Sequence, residues 1–272
     1  MNDPMQNPIF EWVQASEISY NPVQEKLFPE RTRINVGKLK KKFEEHYHSK
    51  GTYFRGDRIL TVRHAAQGEK GRFVILEGAR RLAASKLIEE TTPVPVYVDE
   101  EAKPENDLYC LLQIVKKLEW EGFNHWDISK VVKEWVEQEE KKWINLPDWE
   151  RETKEKRLDE AIKSEFGKGG AELARRYLAF AIAPQYIVKA VLDGDIEFTP
   201  AARIVASVYQ KPKDKPEFKL YEWMLPDIAE AIMKSALETK KDPASHARRL
   251  RKEVKNGRLV LSNGELVKRQ EP

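Results

Sequence analysis

The sequence contains one cysteine in 272 residues, Cys110. A single thiol excludes an internal disulfide framework and a zinc site made of cysteines alone, and it is typical of a reducing cytoplasm. The sequence also lacks a long apolar run, because its longest uncharged stretch, residues 177–188, is too short to span a bilayer and contains Pro184. The start, MNDPMQNPIFEW, lacks the basic and then apolar segments of a signal peptide. We therefore expect a cytoplasmic protein without a membrane segment.

An excess of charge of one sign is also missing. The chain has 48 Lys and Arg against 45 Asp and Glu, a net charge of +3, which is too small to indicate a nucleic-acid partner by itself. Any basic surface must come from local clustering, as in residues 240–272, where ten Lys and Arg stand against four Asp and Glu. The five histidines show no spacing typical of a metal site: His46, His48, His64, His125 and His246.

The stretch RFVILEGARRLAASKLIEETTPVPVYV, residues 72–98, organises the first part of the chain. Residues 73–76 are apolar and predict a buried strand, closed by Gly78, which tolerates unusual backbone angles. A helix should start at Ala79, since apolar residues then recur at helical spacing until Pro93. Alternating valines after Pro93 predict a second strand. The strand, helix, strand order predicts a parallel crossover.

Two arginines, Arg80 and Arg81, fall in the first turn of that predicted helix. Cations there oppose the partial positive charge of the helix N-terminus. A bound phosphate would reverse this cost, because backbone N–H groups, two guanidinium groups and a glycine all favour an anion. The alternative is that both arginines are solvated or paired with acids, namely Glu77, Glu89 or Glu90.

From residue 107 the pattern becomes helical. Residues 158–166 and 171–183 predict two short helices around the break Gly167-Lys168-Gly169-Gly170, which is typical of a helix-turn-helix. Leu173, Leu178 and Ile182 should face inward, with Ala174 and Ala181 beside them. The outer face and first turns would then carry the residues that contact bases and phosphates: Lys168, Glu172, Arg175 and Arg176. Any helical bundle can contain such a pair by chance. Residues 137–157 look like a polar insertion.

The C-terminal residues predict a small basic module. Asp242-Pro243 begins a helix, and residues 258–268 alternate around Asn263-Gly264, a favoured hairpin turn. An isolated hairpin is marginal in water, so this one must pack on its own helices or on a second copy of the chain. The module suits either a phosphate-facing tail or a dimerisation element.

Several of these segments resemble the ParB family. Gly78-Ala79-Arg80-Arg81-Leu82-Ala83-Ala84 resembles the G-E-R-R-x-x-A box of its ParB/sulfiredoxin-like domain, and Asn21-Pro22-Val23-Gln24 resembles the N-P-x-Q that opens it. The later run Thr199-Pro200-Ala201-Ala202-Arg203 resembles a segment that follows the helix-turn-helix of ParB. The resemblance covers roughly residues 15–209, in the family's order. It implies duplex DNA as partner, a phosphate pocket for a nucleotide, CTP in many members, and a partner ATPase in partition proteins.

The sequence departs from the family where nucleotide turnover needs acids. Position 79 is alanine instead of glutamate, and residues 116–120 read KKLEW where the family has an E-N-x-x-R element. Without these oxygen ligands a magnesium ion has little to hold it beside a triphosphate. Sulfiredoxin chemistry needs a cysteine in the box, which Ala79 cannot replace.

We predict an α+β protein in three parts: a ParB/sulfiredoxin-like domain with a small mixed sheet (1–106), a helical helix-turn-helix domain (107–210) and a basic helix and hairpin module (216–272). The expected function is DNA binding as a homodimer, in plasmid or phage partition or in a related regulatory role. A nucleotide or phosphate would bind at Gly78, Arg80 and Arg81, and DNA at Lys168, Glu172, Arg175 and Arg176. We predict no catalytic residue and no metal ligand. The alternatives are a CTP-dependent hydrolase or nuclease, and a protein-binding adaptor that keeps the fold.

Overall fold

The structure is a computed structural model that describes residues 10–29, 36–54, 59–116, 123–142, 151–209, 226–239 and 242–269. The chain divides into two compact units, Met1–Glu121 and Gly122–Pro272, called unit 1 and unit 2 below. The division into domains 1–106, 107–210 and 216–272 stays a prediction. Strands and helices are both present, and the α+β class is confirmed.

Unit 1 is built on a five-stranded mixed sheet with the order β1-β5-β3-β4-β2. Its strands are β1 (Phe10–Gln14), β2 (Ile18–Ser19), β3 (Leu60–His64), β4 (Phe73–Glu77) and β5 (Pro93–Val98). β1 is antiparallel to β5 and β2 is parallel to β4. The predicted strands on both sides of Gly78 are thus confirmed.

The predicted parallel crossover between β4 and β5 is wrong. β3 lies between them, antiparallel to β4 and parallel to β5, so β4 and β5 run in opposite directions. The handedness rule applies only to strands that are parallel in one sheet. Apolar alternation predicts a strand but carries no information on its direction.

Among the described residues of unit 1, four α-helices accompany this sheet: α1 (Pro22–Leu27), α2 (Val36–Lys50), α3 (Ala79–Ile88) and α4 (Asp107–Lys116). Asn21 is the N-cap of α1, and its side chain accepts from the N–H groups of Val23 and Gln24, which satisfies two free donors. α2 and α3 cover one face of the sheet through Phe43, Leu82 and the inward strand residues. α4 packs against β4.

Unit 2 contains six helices among its described residues: α5 (His125–Lys141), α6 (Arg151–Phe180), α7 (Gln185–Leu192), α8 (Phe198–Tyr209), α9 (Pro226–Leu237) and α10 (Pro243–Lys255). The polar stretch 137–157, interpreted as an insertion, is helical at both ends, since residues 137–141 complete α5 and α6 begins at Arg151. Residues 143–150 lie outside the described part. Charged residues are common both in helices and in polar loops, so composition alone did not show that these residues are helical.

The C-terminal hairpin is confirmed. β6 (Leu259–Ser262) pairs with β7 (Glu265–Lys268) in antiparallel fashion, and Asn263 and Gly264 between them have φ of 51° and 81°, as the favoured two-residue turn requires. The hairpin packs on α9 and α10. None of the helices that the structure describes is long and apolar enough to cross a membrane.

Candidate functional site

Gly78 turns β4 into α3 with a left-handed backbone, φ 101° and ψ 20°. A Cβ at this position would stand 2.6 Å from Leu60 Cδ2 and 3.2 Å from two nitrogen atoms of Arg81. The dihedral angle therefore favours glycine, and a larger residue would also have to displace the ends of the Leu60 and Arg81 side chains. The first three N–H groups of α3 precede its first helical hydrogen bond, Leu82 N–H to the carbonyl of Gly78 at 3.0 Å.

Arg81 folds back over this turn. Its Nη1 donates to the carbonyl of Ile59 at 3.0 Å, and its Nη2 lies 3.5 Å from Glu77 Oε1. Only 16% of the Arg81 side chain is exposed. Arg81 therefore ties the residue before β3 to the start of α3. Arg80 is half-buried in the same turn.

The break inside α6 is one residue long. Gly167 has φ 68° and ψ 175° between two helical segments, residues 151–166 and 168–180, called here the first and second segments of α6. This region of backbone space is essentially restricted to glycine. The predicted break at 167–170 is confirmed at Gly167, while residues 168–170 are already helical.

The second segment of α6 packs through a face that differs from the predicted one. Leu173, Leu178 and Ile182 are only half-buried, and the segment buries Ala171, Ala174, Tyr177, Ala179 and Phe180. Tyr177 stacks on Phe198 with ring centroids 4.7 Å apart, and Phe180 meets the same ring edge-on at 5.4 Å. Aromatic pairing with α8 selects this face, an interaction that helical spacing alone does not reveal. Ala174 was correctly expected inside.

Arg175 reaches across the break to the first segment. Its Nη2 donates to Asp159 Oδ1 at 2.9 Å, and 46% of its side chain is exposed. Glu172 lies 3.9 Å from Arg175 Nη1 and 3.5 Å from Arg176 Nε. Arg176 is 25% exposed. The structure thus brings together three of the four predicted DNA-contacting residues on one helix, while the side chain of Lys168 lies outside the described part.

A buried arginine, Arg63 on β3, was not singled out from the sequence. It is fully buried, and its Nε and Nη2 donate to the two oxygens of Asp107 at 2.7 and 2.8 Å. Nη1 and Nη2 also donate to Glu69 at 2.7 and 2.8 Å. These hydrogen bonds raise the pKa of Arg63 and lower the pKa of Glu69. The signal that could have found it is an Arg directly after the predicted strand of residues 59–62.

A cavity of about 560 Å³ lies beside Lys86 in unit 1. Lys86 Nζ donates to the carbonyl of Ile18 at 2.7 Å, and burial lowers the pKa of Lys86. Burial, with Glu25 and Glu90, raises the pKa of Tyr20 in the lining to about 12. The lining holds two lysines and two glutamates, Lys70, Lys86, Glu25 and Glu69. These charges balance, so the cavity does not favour a phosphate.

Metal-ligating side chains do not cluster in the described part of the chain. Within these ranges no group of three or more His, Cys, Asp or Glu side chains could hold a metal ion. Cys110 is a half-buried free thiol, and burial together with Asp99 and Asp107 raises its pKa. Its thiol is therefore poorly ionised at neutral pH.

Comparison with known proteins gives structural matches alone, since no family model and no curated protein matches the chain. A structure of a Pnob8-like ParB-N domain has a TM-score of 0.51 at 12% identity, covering 92% of this chain and 96% of that chain. The C-terminally truncated ParB of Caulobacter crescentus complexed to the centromeric parS site has a TM-score of 0.47 at 14% identity, covering 88% and 99%. The same protein complexed with CTP-γ-S has a TM-score of 0.29 at 16% identity, covering 89% and 98%. The ParB resemblance expected from the glycine and arginine box is thereby confirmed at the level of fold: the chain has the fold of a ParB-N domain structure.

Proposed function

We propose that this chain is a ParB-like DNA-binding protein that contacts duplex DNA with the second segment of α6. One observation carries the proposal: a glycine-only break at Gly167 joins two helical segments, and the second presents Arg175 with 46% of its side chain exposed. Two helices at a tight glycine turn are the framework of a helix-turn-helix, in which the second helix enters the major groove.

The ion pairs of Arg175 do not prevent contact with DNA. An exposed salt bridge contributes roughly 0–1 kcal/mol, and Asp159 and Glu172 are half-buried and exposed, respectively. A phosphate or a guanine edge offers a guanidinium a two-point contact that replaces such a pair. Arg176, with its Nε buried, supports the helix and contributes less to DNA contact than Arg175. Lys168 and Glu172 complete the proposed DNA surface.

A second part of the proposal concerns the start of α3. Gly78, Arg80 and Arg81 would bind a phosphate or a nucleotide such as CTP, without strong magnesium ligation. The N–H groups of the first turn and the left-handed glycine support this. Glu77, 3.5 Å from Arg81 Nη2, competes with an incoming anion, so we expect weak binding. Hydrolysis is not expected, because Ala79 supplies no carboxylate.

The biological setting that we propose is partition of a plasmid or phage genome, or local control of transcription. Binding as a homodimer would match a two-fold symmetric DNA site. A partner ATPase is expected in the partition role. The proposed location is the cytoplasm.

Selection of bound fragments from a random duplex pool tests the DNA proposal. We expect a two-fold symmetric consensus for the wild type, and disappearance of that consensus for Arg175→Ala. Arg72→Ala is the matched control, because Arg72 is also exposed and also paired, with Glu11 at 3.2 Å, but lies in unit 1. Failure of the wild type to enrich any duplex would overturn the proposal in favour of a protein-binding adaptor.

Calorimetric titration with CTP, ATP and GTP, with and without magnesium, tests the nucleotide proposal. We expect binding that weakens in Arg80→Ala and no release of phosphate. Phosphate release that depends on Arg80 would instead support the nucleotide hydrolase alternative.

A further inference from the structure

The outward face of the last two turns of α10 is made of cations. From residue 248 to the end of this helix, the exposed residues are Arg248, Arg249, Lys252 and Lys255, called here the α10 face. Their spacing of three and four residues places them on one side of the helix. A fifth cation, Arg251, points elsewhere and donates to the carbonyl of Ser207 on α8 at 3.0 Å.

The opposite side of α10 fixes the direction of this face. Ala244 and Ala247 are buried against the rest of unit 2, and α10 packs on α8 and α9. Asp242 caps the helix by accepting from Ser245 N–H at 3.2 Å. Small buried residues allow close approach to α8, so the α10 face is held by a packed helix rather than by a loop.

Among the described residues, no carboxylate is paired with a cation of the α10 face. Over the residues that the structure describes, no carboxylate oxygen lies within 4.0 Å of a charged nitrogen of these four side chains. Arg248 donates to Ser245 Oγ at 3.3 Å and to the carbonyl of Ala244 at 3.4 Å. Arg249 Nη2 donates to His246 Nδ1 at 3.0 Å. Arg175 and Arg176, by contrast, each have a carboxylate nearby.

We propose that the α10 face binds the sugar-phosphate backbone of DNA, as a second contact surface of unit 2 that is separate from the second segment of α6. From Arg248 to Lys255 the helix rises about 10 Å, a length over which duplex DNA presents roughly six phosphates. Four cations that have no carboxylate partner in the described part of the chain suit such a linear array of charge. The inference rests on the proposed function, since it assumes that DNA is the partner.

The experiment measures binding of the full chain to a random-sequence duplex by fluorescence anisotropy at several salt concentrations. The test variant is Arg248→Gln, Lys252→Gln, Lys255→Gln, which spares Arg249 and its contact with His246. The control is Lys133→Gln, Lys141→Gln, Lys234→Gln, which removes the same charge from exposed lysines of α5 and α9. Thermal unfolding of both variants verifies that the fold is kept.

We expect the slope of log affinity against log salt to fall in magnitude by about two to three in the test variant, at about 0.9 for each phosphate that the protein no longer neutralises. Affinity near 0.1 M salt should fall about ten- to a hundredfold, while the control changes much less. Equal effects of the two variants would overturn the inference. So would an unchanged DNA slope together with weaker binding to phosphatidylserine vesicles, which would indicate a membrane surface. Absence of duplex binding by the wild type would instead contradict the proposed function itself.

Discussion

Arg63 in unit 1 and Arg175 in unit 2 each lie near two carboxylates, but their surroundings differ. Arg63 is fully buried and makes two-point contacts with Asp107 and Glu69. Arg175 is 46% exposed, with one close contact to Asp159 and a longer one to Glu172. A buried guanidinium cannot exchange its partners for water or for a ligand, because the carboxylates left behind would be desolvated and unpaired. An exposed guanidinium can exchange its partners, because water solvates the carboxylates that are left behind.

This comparison shows that counting ion pairs does not separate structural arginines from binding arginines. Burial decides. The same criterion applies to Arg81 at the start of α3, because 16% of its side chain is exposed and it donates to the carbonyl of Ile59. Arg81 therefore lies between Arg63 and Arg175 in exposure, in line with the weak anion binding proposed for the start of α3.

The largest expected effect comes from removing the buried arginine. Arg63→Ala should lower the free energy of unfolding by about 3–5 kcal/mol, because Asp107 is left buried without a partner. Arg175→Ala should lower it by less than about 1 kcal/mol. Urea denaturation measures both, and Arg63→Lys should fall between them because it keeps the charge but not the two-point geometry. Similar destabilisation by Arg63→Ala and Arg175→Ala would contradict the comparison.

Acid should weaken unit 1 through Glu69. The Arg63 guanidinium holds the pKa of Glu69 below its ordinary value of 4.5, so the stabilisation from Glu69 is complete above that value and is lost as the pH falls through the folded-state pKa. Glu69→Gln should cost about 1–3 kcal/mol at pH 7. Denaturation at a series of pH values from neutral into the acid range should show the difference between wild type and variant shrinking toward low pH. A constant difference would rule out this source.

The two helical segments that carry Asp159 and Arg175 depend on Gly167. Gly167→Ala should cost about 1–3 kcal/mol, because its backbone angles suit glycine alone. Gly169→Ala is the matched control: Gly169 is helical and a Cβ there meets nothing within 4 Å. Alanine at 169 should stabilise the helix by about 0.5–1 kcal/mol. Thermal unfolding compares the two, and a destabilised Gly169→Ala variant would show that the helix does not resume at residue 168.

The smallest expected effect comes from removing the carboxylate that pairs with Arg175. Asp159→Asn removes the carboxylate beside Arg175 and should raise the affinity for random duplex DNA by up to about fivefold, since an exposed pair contributes up to about 1 kcal/mol. Glu160→Gln removes an equal charge from the neighbouring position and should change affinity less. Anisotropy titrations at one salt concentration measure both. A lower affinity for Asp159→Asn would mean that Asp159 orients Arg175 toward DNA.

Much of the local structure followed from the sequence, since the patterns that define it are local. The apolar run before Gly78, the helix after it and the Asn263-Gly264 hairpin are each set within a few residues. The direction of β5 relative to β4 was not accessible, because β3, from earlier in the chain, separates them in the sheet. The inward face of the second segment of α6 was missed because Phe198, on another helix, determines it.

In the candidate site, too, local features could be predicted from the sequence and contacts between distant residues could not. The residue types at positions 78, 80, 81, 172, 175 and 176 are evident from the sequence, whereas their contacts are not. Arg81 bonds to Ile59, 22 residues earlier, and Arg63 bonds to Asp107, 44 residues later. Arg175 bonds to Asp159 across the break. Partners at such separations depend on the folded chain, and no spacing rule predicts them.

The one-residue break at Gly167 makes the shape of α6 sensitive to a single substitution. With ordinary helical angles at that position, residues 151–180 would form a continuous rod about 45 Å long. Any residue with a Cβ favours that alternative, and a single-base change converts a glycine codon into one for alanine. A change of one nucleotide in the gene therefore shifts the balance between a helix pair and a rod toward the rod.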